Sequence, residues 1–178
     1  ARYLLKMGQR EIGGLLKSDD GQGLRRYQGF LSELRSAGVP MDDNRFVWYD
    51  TGDTGHFDRM EQRILERLSG CSAVFCYNDG AAVELIELLK RNRIRVPGDL
   101  SVISVDDTDL AAYGDVGLTS VHHPKEKLGE KAAELLLSMI LRRGGGKAGA
   151  REGYEFDVWL AERESVRRCA GSGTLSSK

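Results

Sequence analysis

Proline is scarce in this 178-residue chain, with three residues, and cysteine and histidine are no commoner at three each. Cys71, Cys76 and Cys169 form an odd, sparse set. Cys71 and Cys76 flank or occupy one predicted strand, where a local disulfide is awkward. Reduced thiols are expected, as in cytoplasmic proteins, with Cys76 a small core residue. His56, His122 and His123 stand at no metal-ligand spacing with cysteines or acids, so no metal is expected. Excess charge is also absent. Lys and Arg total 26 against 27 Asp and Glu, a net charge of −1, which leaves no electrostatic footprint for nucleic acid or a membrane. The longest mainly apolar run is too short and too interrupted to span a bilayer. No basic-then-apolar leader opens the sequence, and a cytoplasmic location is expected. There is no Gly-x-x-x-x-Gly-Lys-Ser/Thr phosphate loop. Gly21-Gln-Gly23 lacks the rest of a dinucleotide fingerprint, and the serines near it have no neighbouring His in sequence. No cofactor is expected, and neither a repeat nor a low-complexity block is present.

What the chain does have is ordinary hydrophobic content, 22 glycines often placed at element ends, and length enough for one domain with a normal core. Arg2–Met7 reads as the end of a helix stopped by Gly8; Ala1 supplies no cap, so a start inside a larger protein is expected. Glu11–Leu16 reads as a buried strand and Lys17–Gly23 as a polar loop. Leu24–Ala37 is amphipathic, with Leu24, Tyr27, Phe30, Leu31 and Leu34 recurring at three and four residues, and Gly38 and Pro40 stop it. Arg45–Tyr49 is a strand, Asp50–Gly55 a turn-rich loop, and Phe57–Leu68 a helix with an apolar stripe.

The most informative stretch follows. A strand at Ala73–Tyr77 ends in Asn78-Asp79, a helix runs from Gly80 to Arg91, and a strand at Leu100–Val105 ends in Asp106-Asp107. Strand, helix and strand in about thirty residues make a βαβ unit with parallel strands. An irregular stretch to Gly117 leads to a short strand, Leu118–Val121. Pro124 fits the first turn of a long helix ending near Arg143, with an apolar face of Leu128, Ala132, Leu135, Leu136, Met139 and Ile140. Gly144–Gly146 is a loop, Tyr154–Leu160 alternates like a half-buried strand, and the Gly/Ser-rich tail from Ala170 is expected to be disordered. The fold class expected is α/β, with a doubly wound, mainly parallel sheet.

Polar clusters then fall on one rim, beyond the carboxyl ends of parallel strands, where open α/β sheets bind ligands. They are Lys17 with Asp19 and Asp20, the Thr51–Asp53 loop, Asn78 with Asp79, and Asp106 with Asp107. A carboxylate accepts from two adjacent hydroxyls and an Asn amide both donates and accepts, so the rim suits a neutral, hydroxyl-rich molecule. Arg26 can add a forked donor, and Trp48 or Tyr49 a flat face for sugar C–H groups. Only one of the last two can point at the rim, because strand residues alternate. The duller reading makes Asp20, Asp79 and Asp107 N-caps of the helices or turns behind them, the commonest use of Asp after a strand. Arg26 by itself reads equally as a solvated helix residue. Acidic pairs can also hold Mg²⁺, which keeps a phosphatase-type hydrolase open.

The ordered segments Tyr3-Leu-Leu-x-x-Gly8, Arg26-x-x-Gly-Phe30, Phe75-Cys-Tyr-Asn-Asp79, Val96-Pro-Gly-Asp-Leu-Ser-Val-Ile-Ser-Val-Asp-Asp107, Leu118-Thr-Ser-Val121 with Pro124 and Leu128-Gly129, and Leu160-x-x-Arg-Glu-Ser165 resemble the effector-binding domain of LacI/GalR transcription regulators. That fold is shared with periplasmic sugar-binding proteins. The resemblance runs from Arg2 to Ser165 and implies that Arg26, Asn78 and Asp106 bind a small-molecule effector. The Leu16–Gly23 loop with Arg26 is closer to the arabinose-responsive repressors with a GntR-type head, which adds Lys17 and implies L-arabinose. It also implies that residues 1–121 form the C-terminal effector subdomain. Residues 122–152 would be a crossover helix and loop of the other subdomain, 153–165 a return strand, and 166–178 a disordered tail. The DNA-binding head and the first half of the effector domain have no counterpart here, so DNA is a partner only through an absent head. An exposed face at Leu128–Ile140 implies a homodimer. A transport-type sugar-binding protein is the rival of the same fold, and a dimerisation module whose rim acids are merely caps is the plainest alternative.

Overall fold

A near-continuous apolar run, Ile12-Gly-Gly-Leu-Leu16, is what a strand buried on both faces requires, and it forms the inner strand β1 (Ile12–Lys17). The computed structural model describes residues 1–141 and 153–169. Chain order is α1 (Arg2–Lys6), β1, α2 (Gly21–Ser36), β2 (Phe46–Tyr49), α3 (Glu61–Leu68, after a 3-10 turn at Phe57–Met60), β3 (Ala73–Cys76), α4 (Asp79–Arg91), β4 (Ser101–Asp106), α5 (Asp109–Tyr113), β5 (Thr119–His122), α6 (Lys125–Leu141) and β6 (Trp159–Ala161). The sheet order is β2-β1-β3-β4-β5-β6. All pairs are parallel except β5 with β6.

Neighbouring residues of a strand face opposite ways, and Gly13 and Gly14 show which helices cover which face. A Cβ on Gly14 would meet the Phe46 ring at 2.5 Å; on Gly13 it would meet Leu68 of α3 at 2.9 Å. Phe46 packs edge-on against Tyr27 of α2, and Phe30 of α2 stacks on Phe75 of β3 at 4.6 Å. Thus α2 covers one face and α3 the other. The side of α4 is fixed by Glu84, whose carboxylate accepts from the Gly55 and Phe57 amides at 2.9 and 2.6 Å, just before α3. Helices on both faces make the sheet doubly wound, as expected. Leu85, Leu88 and Leu89 of α4 are fully buried, each contributing about 1.5–3 kcal/mol. The order in which strands are added to the sheet reverses between β1 and β3, which run parallel, so α2 and α4 diverge and open a crevice at the carboxyl edge.

Three expectations need correcting. The stretch after Asp107 contains α5, nucleated where Thr108 is tied to Asp79 and held by the buried Ala111. The strand expected over Tyr154–Leu160 shrinks to Trp159–Ala161. Among the described residues its only partner is β5, and pairing stops at His122↔Trp159 because the chain there turns away into α6. Residues 166–169 are packed: Val166 is buried, the Cys169 amide donates to Met7 O at 2.8 Å, and the buried Gln9 amide bonds Ser101 Oγ and Arg167 O. The Gly144–Gly146 loop and the tail from Ala170 lie outside the described residues. The cysteines are free and Cys76 is fully buried. Among the described residues no helix is long and apolar enough to cross a membrane.

Candidate functional site

The crevice holds a cavity of about 360 Å³ lined by Gln22, Arg26, Tyr77, Asn78, Asp106, Thr108, His123 and Lys125. Its floor is the end of β3 and β4. Its wall is the first turns of α2, and its mouth is the segment entering α6.

Arg26 organises it. The Asp20 carboxylate accepts from the Gly23 amide at 2.7 Å and caps α2, which starts the helix early enough to aim Arg26 at the sheet edge. The Arg26 guanidinium donates to the Tyr77 carbonyl, to Gln22 Oε1 at 3.2 Å and to Asp106 Oδ1 at 3.2 Å. It also lies 4.5 Å above the centre of the Tyr77 ring. Asp106 is held in an unusual backbone conformation, φ 110°, and Asp107 follows at φ 46°. Non-glycine residues persist there only where their surroundings over-determine them. His123 Nδ1 is 3.9 Å from Asp106 Oδ1.

Asn78 and Asp79 take opposite parts to those their order suggests. Asn78, not Asp79, caps α4: its Oδ1 accepts from the Ala81 amide at 2.9 Å. Its amide nitrogen is left to donate into the cavity. Asp79 is turned inward, 1% exposed, and accepts from Ser104 Oγ, Ser120 Oγ, Thr108 N and Thr108 Oγ1 at 2.6, 2.6, 2.6 and 2.9 Å. It shapes the floor without facing it. Asp107 is not a cap either; it pairs with Arg163 at 2.7 Å and His122 at 2.9 Å.

The other expected residues stay outside the lining. Asp20, besides capping, accepts from the Tyr77 hydroxyl. Lys17 lies 3.7 and 3.9 Å from Asp19 and Asp20. Trp48 packs edge-on against Tyr27, on the side of α2, because the residue that turns inward is Tyr49, against Phe57 and Tyr77. Thr51 and Asp53 close their own loop and the Asp19 carboxylate. Thus Arg26, Asn78 and Asp106 converge, and Lys17, Asp20 and Trp48 do not line the cavity with them. Sequence reading missed Gln22, Tyr77, Thr108, His123 and Lys125. Gln22 had a signal, four residues before Arg26 on one helix face. His123 and Lys125 flank Pro124, where only the crossing of the chain brings them to the mouth.

Burial and the bond to Asp20 push the Tyr77 phenol up to about 12, so it is a neutral donor at ordinary pH. The bond from Tyr77 in turn holds Asp20 below the usual carboxylate range. Burial works against ionisation of Asp107, but the Arg163 and His122 contacts outweigh it and keep its carboxyl low. A lowered carboxyl stabilises the fold above its unfolded value of about 4, and that stability is lost as pH falls through the folded value. The urea midpoint is therefore expected to fall as the solution is acidified below about pH 5, and to fall less steeply in Asp107→Asn.

The cavity offers donors from Asn78 and Lys125, a donor and acceptor in Gln22, and a carboxylate oriented by Arg26. This arrangement can hold a molecule rich in hydroxyl or carbonyl groups by hydrogen bonds. Among the described residues no cluster of His, Cys, Asp and Glu could hold a metal ion.

A doubly wound sheet with its cleft at the carboxyl edge defines a small-molecule binding domain. The periplasmic binding protein-like domain family matches residues 1–166, and the chain belongs to that family. It is 33% identical over 168 residues to the arabinose metabolism transcriptional repressor of Halalkalibacterium halodurans, covering 93% of this chain and 45% of that protein. It is 37% identical over 168 residues to the HTH-type transcriptional repressor PurR of Yersinia pestis, covering 93% and 47%. Among solved structures it superposes on the transcriptional regulator CelR in complex with cellobiose, at TM-score 0.81 and 26% identity, covering 92% of this chain and 49% of that one. A LacI family regulator from Enterococcus faecium with bound ribose gives TM-score 0.78 at 25% identity, covering 94% and 60%. The chain spans about half the length of the curated relatives it matches.

Proposed function

We propose that this chain is the C-terminal part of the effector-binding domain of a LacI-type, sugar-responsive transcription repressor, and that its effector is L-arabinose. Residues 1–121 are the C-terminal subdomain, 122–152 belong to the crossing to the other subdomain (142–152 lie outside the described residues), and 153–165 return. The single observation that carries the reading is the convergence of Arg26, Asn78 and Asp106 on one cavity at the strand ends. Sugar hydroxyls bridge Asp106 and the Asn78 amide, and Arg26 orients the acid. Lys17 and Asp20 support the rim from one residue further out, through Tyr77.

Binding favours one arrangement of the two subdomains over another, which alters DNA affinity of the head. Switching the population nearly completely needs about 5.5 kcal/mol of differential binding. Charge-assisted hydrogen bonds of about 1.5–3 kcal/mol each supply that from two or three contacts. The arabinose repressors among the relatives support the sugar, and the site chemistry supports binding over hydrolysis: Asp106 and Asp107 are already engaged by Arg26, His122 and Arg163. The exposed Leu136, Leu137, Met139 and Ile140 of α6 support a homodimer, which sedimentation of the protein would show.

The test is a thermal-shift and calorimetric screen of L-arabinose, D-ribose, D-xylose and cellobiose on the full-length protein. L-arabinose alone should raise the melting temperature. Arg26→Ala and Asp106→Ala should each weaken binding by about 10–100-fold, the loss of one charge-assisted contact. A response to one of the other sugars instead, or sugar binding indifferent to both variants, would overturn the assignment.

A further inference from the structure

We infer that Asp107 is the positioning residue that couples the cavity to both chain crossings that carry α6. The inference rests on the binding reading of the cavity for its purpose, though not for its test. The chain leaves the sheet through His122–Pro124 into α6 and re-enters it at Trp159. No residue of α6 is buried, so the crossings define how that helix sits against the sheet.

Asp107 touches both crossings at once. Its carboxylate meets His122 Nδ1 at 2.9 Å on the outgoing strand and accepts from the Arg163 guanidinium at 2.7 Å just beyond the returning one. Its amide donates to Ser120 Oγ at 3.0 Å, and its carbonyl accepts from Lys125 Nζ, at the first residue of α6, at 3.2 Å. Arg163 is itself fastened to β5, donating to Leu118 O at 2.7 Å, while Thr119 Oγ1 donates to Arg163 O at 3.0 Å.

One peptide bond back stands Asp106, the carboxylate that faces the cavity with Arg26 and His123. Both residues have positive φ, 110° and 46°. The planar peptide between them makes them one lever: turning Asp106 toward or away from Arg26 swings Asp107 relative to its four partners. A reporter is built in. The Trp159 ring stacks on the His122 imidazole at 4.0 Å and 24°. The chain has one other tryptophan, Trp48, on β2 at the far edge of the sheet.

The experiment is a double-mutant cycle on this chain in a Trp48→Phe background. Trp159 emission and amide exchange of Val121 and Leu160 are read without any ligand. Asp106→Asn should shift Trp159 emission and speed exchange at the crossing by about tenfold. With Asp107→Asn already present, adding Asp106→Asn should change that exchange by less than about twofold and leave the emission where it was. If Asp107→Asn does not fold by near-ultraviolet circular dichroism, Arg163→Lys takes its place in the cycle, since it breaks the same relay at its other arm. An Asp106→Asn effect that persists undiminished, or no effect on Trp159 and the β5–β6 pair at all, would overturn the coupling. Failure of the protein to bind any sugar would overturn the proposed function and leave the result of this cycle standing.

Discussion

Asp79→Ala is expected to destabilise the fold by about 3 kcal/mol, lowering the melting temperature by about 6–12 °C for a chain of this size. The sequence makes Asp79 look like a helix cap, a loss of about 1 kcal/mol. The structure makes it a buried carboxylate with four neutral donors aimed at it: two serine hydroxyls from β4 and β5, and the amide and hydroxyl of Thr108. Its position as the first residue of α4 adds the positive end of the helix dipole. Removing it recovers the cost of burying a charge but leaves the Thr108 amide and the hydroxyls without acceptors, each about 1–3 kcal/mol. The orphaned donors outnumber the group removed, so the net sign is destabilising. Asn offers one acceptor where two are used and turns an NH₂ toward donors, so Asp79→Asn should recover little. Asn78→Ala, which removes the true cap, should cost only about 1 kcal/mol. Urea unfolding of the three variants checks the ranking. Equal losses at residues 78 and 79 would show that the buried network relaxes without cost.

Gly23→Ala and Gly29→Ala, two glycines of one helix, should move stability in opposite directions. A Cβ on Gly23 would stand 1.8 Å from the Lys17 carbonyl oxygen and 2.9 Å from its carbon. That neighbour is backbone at the end of β1 and cannot swing aside. The first turn of α2 must lift, which breaks the Asp20 cap and moves Arg26, one turn further on. Overpacking of about 1–3 kcal/mol and a lost cap of about 1 kcal/mol add to roughly 2–4 kcal/mol. Nothing lies within 4 Å of a Cβ on Gly29, which is exposed in the helix interior. Alanine there should stabilise by about 0.5–1 kcal/mol, since it restricts the unfolded chain and meets no neighbour. Thermal melts decide both. A neutral Gly23→Ala would mean that α2 is free to slide along β1, and the placement of Arg26 would no longer depend on that contact.

Local rules carried most of the elements. Apolar spacing placed α2 and α3, and short apolar runs ending in polar residues placed β1, β3 and β4, with α4 as the crossover between the last two, because periodicity reports which face is buried. The rim followed from the βαβ unit, since a crossover of that length leaves the strands no choice but to be parallel. The same rules could not say which member of Asn78-Asp79 faces the cavity. Both sit at the end of a strand, and the choice was made by Ser104 and Ser120, 26 and 42 residues beyond Asn78, whose hydroxyls gather one carboxylate inward. Trp48 was misplaced for a similar reason: the partner that decides its face is Tyr27, on a helix that crosses over β2.

The sequence by itself determined the parallel α/β architecture and the edge of the sheet that carries the polar rim, because each follows from a neighbour within a turn or a strand of it; Arg26, Asn78 and Asp106 are singled out only by the family resemblance, since their local positions fit a helix cap or a solvated residue equally well. The tertiary structure alone decided that His123 and Lys125 guard the cavity, that Asp79 is buried beneath it, and that Asp107 bridges His122 and Arg163. Those arrangements depend on contacts between elements far apart in the chain, whose geometry is set by how helices pack across the sheet, and no local pattern of residues encodes that.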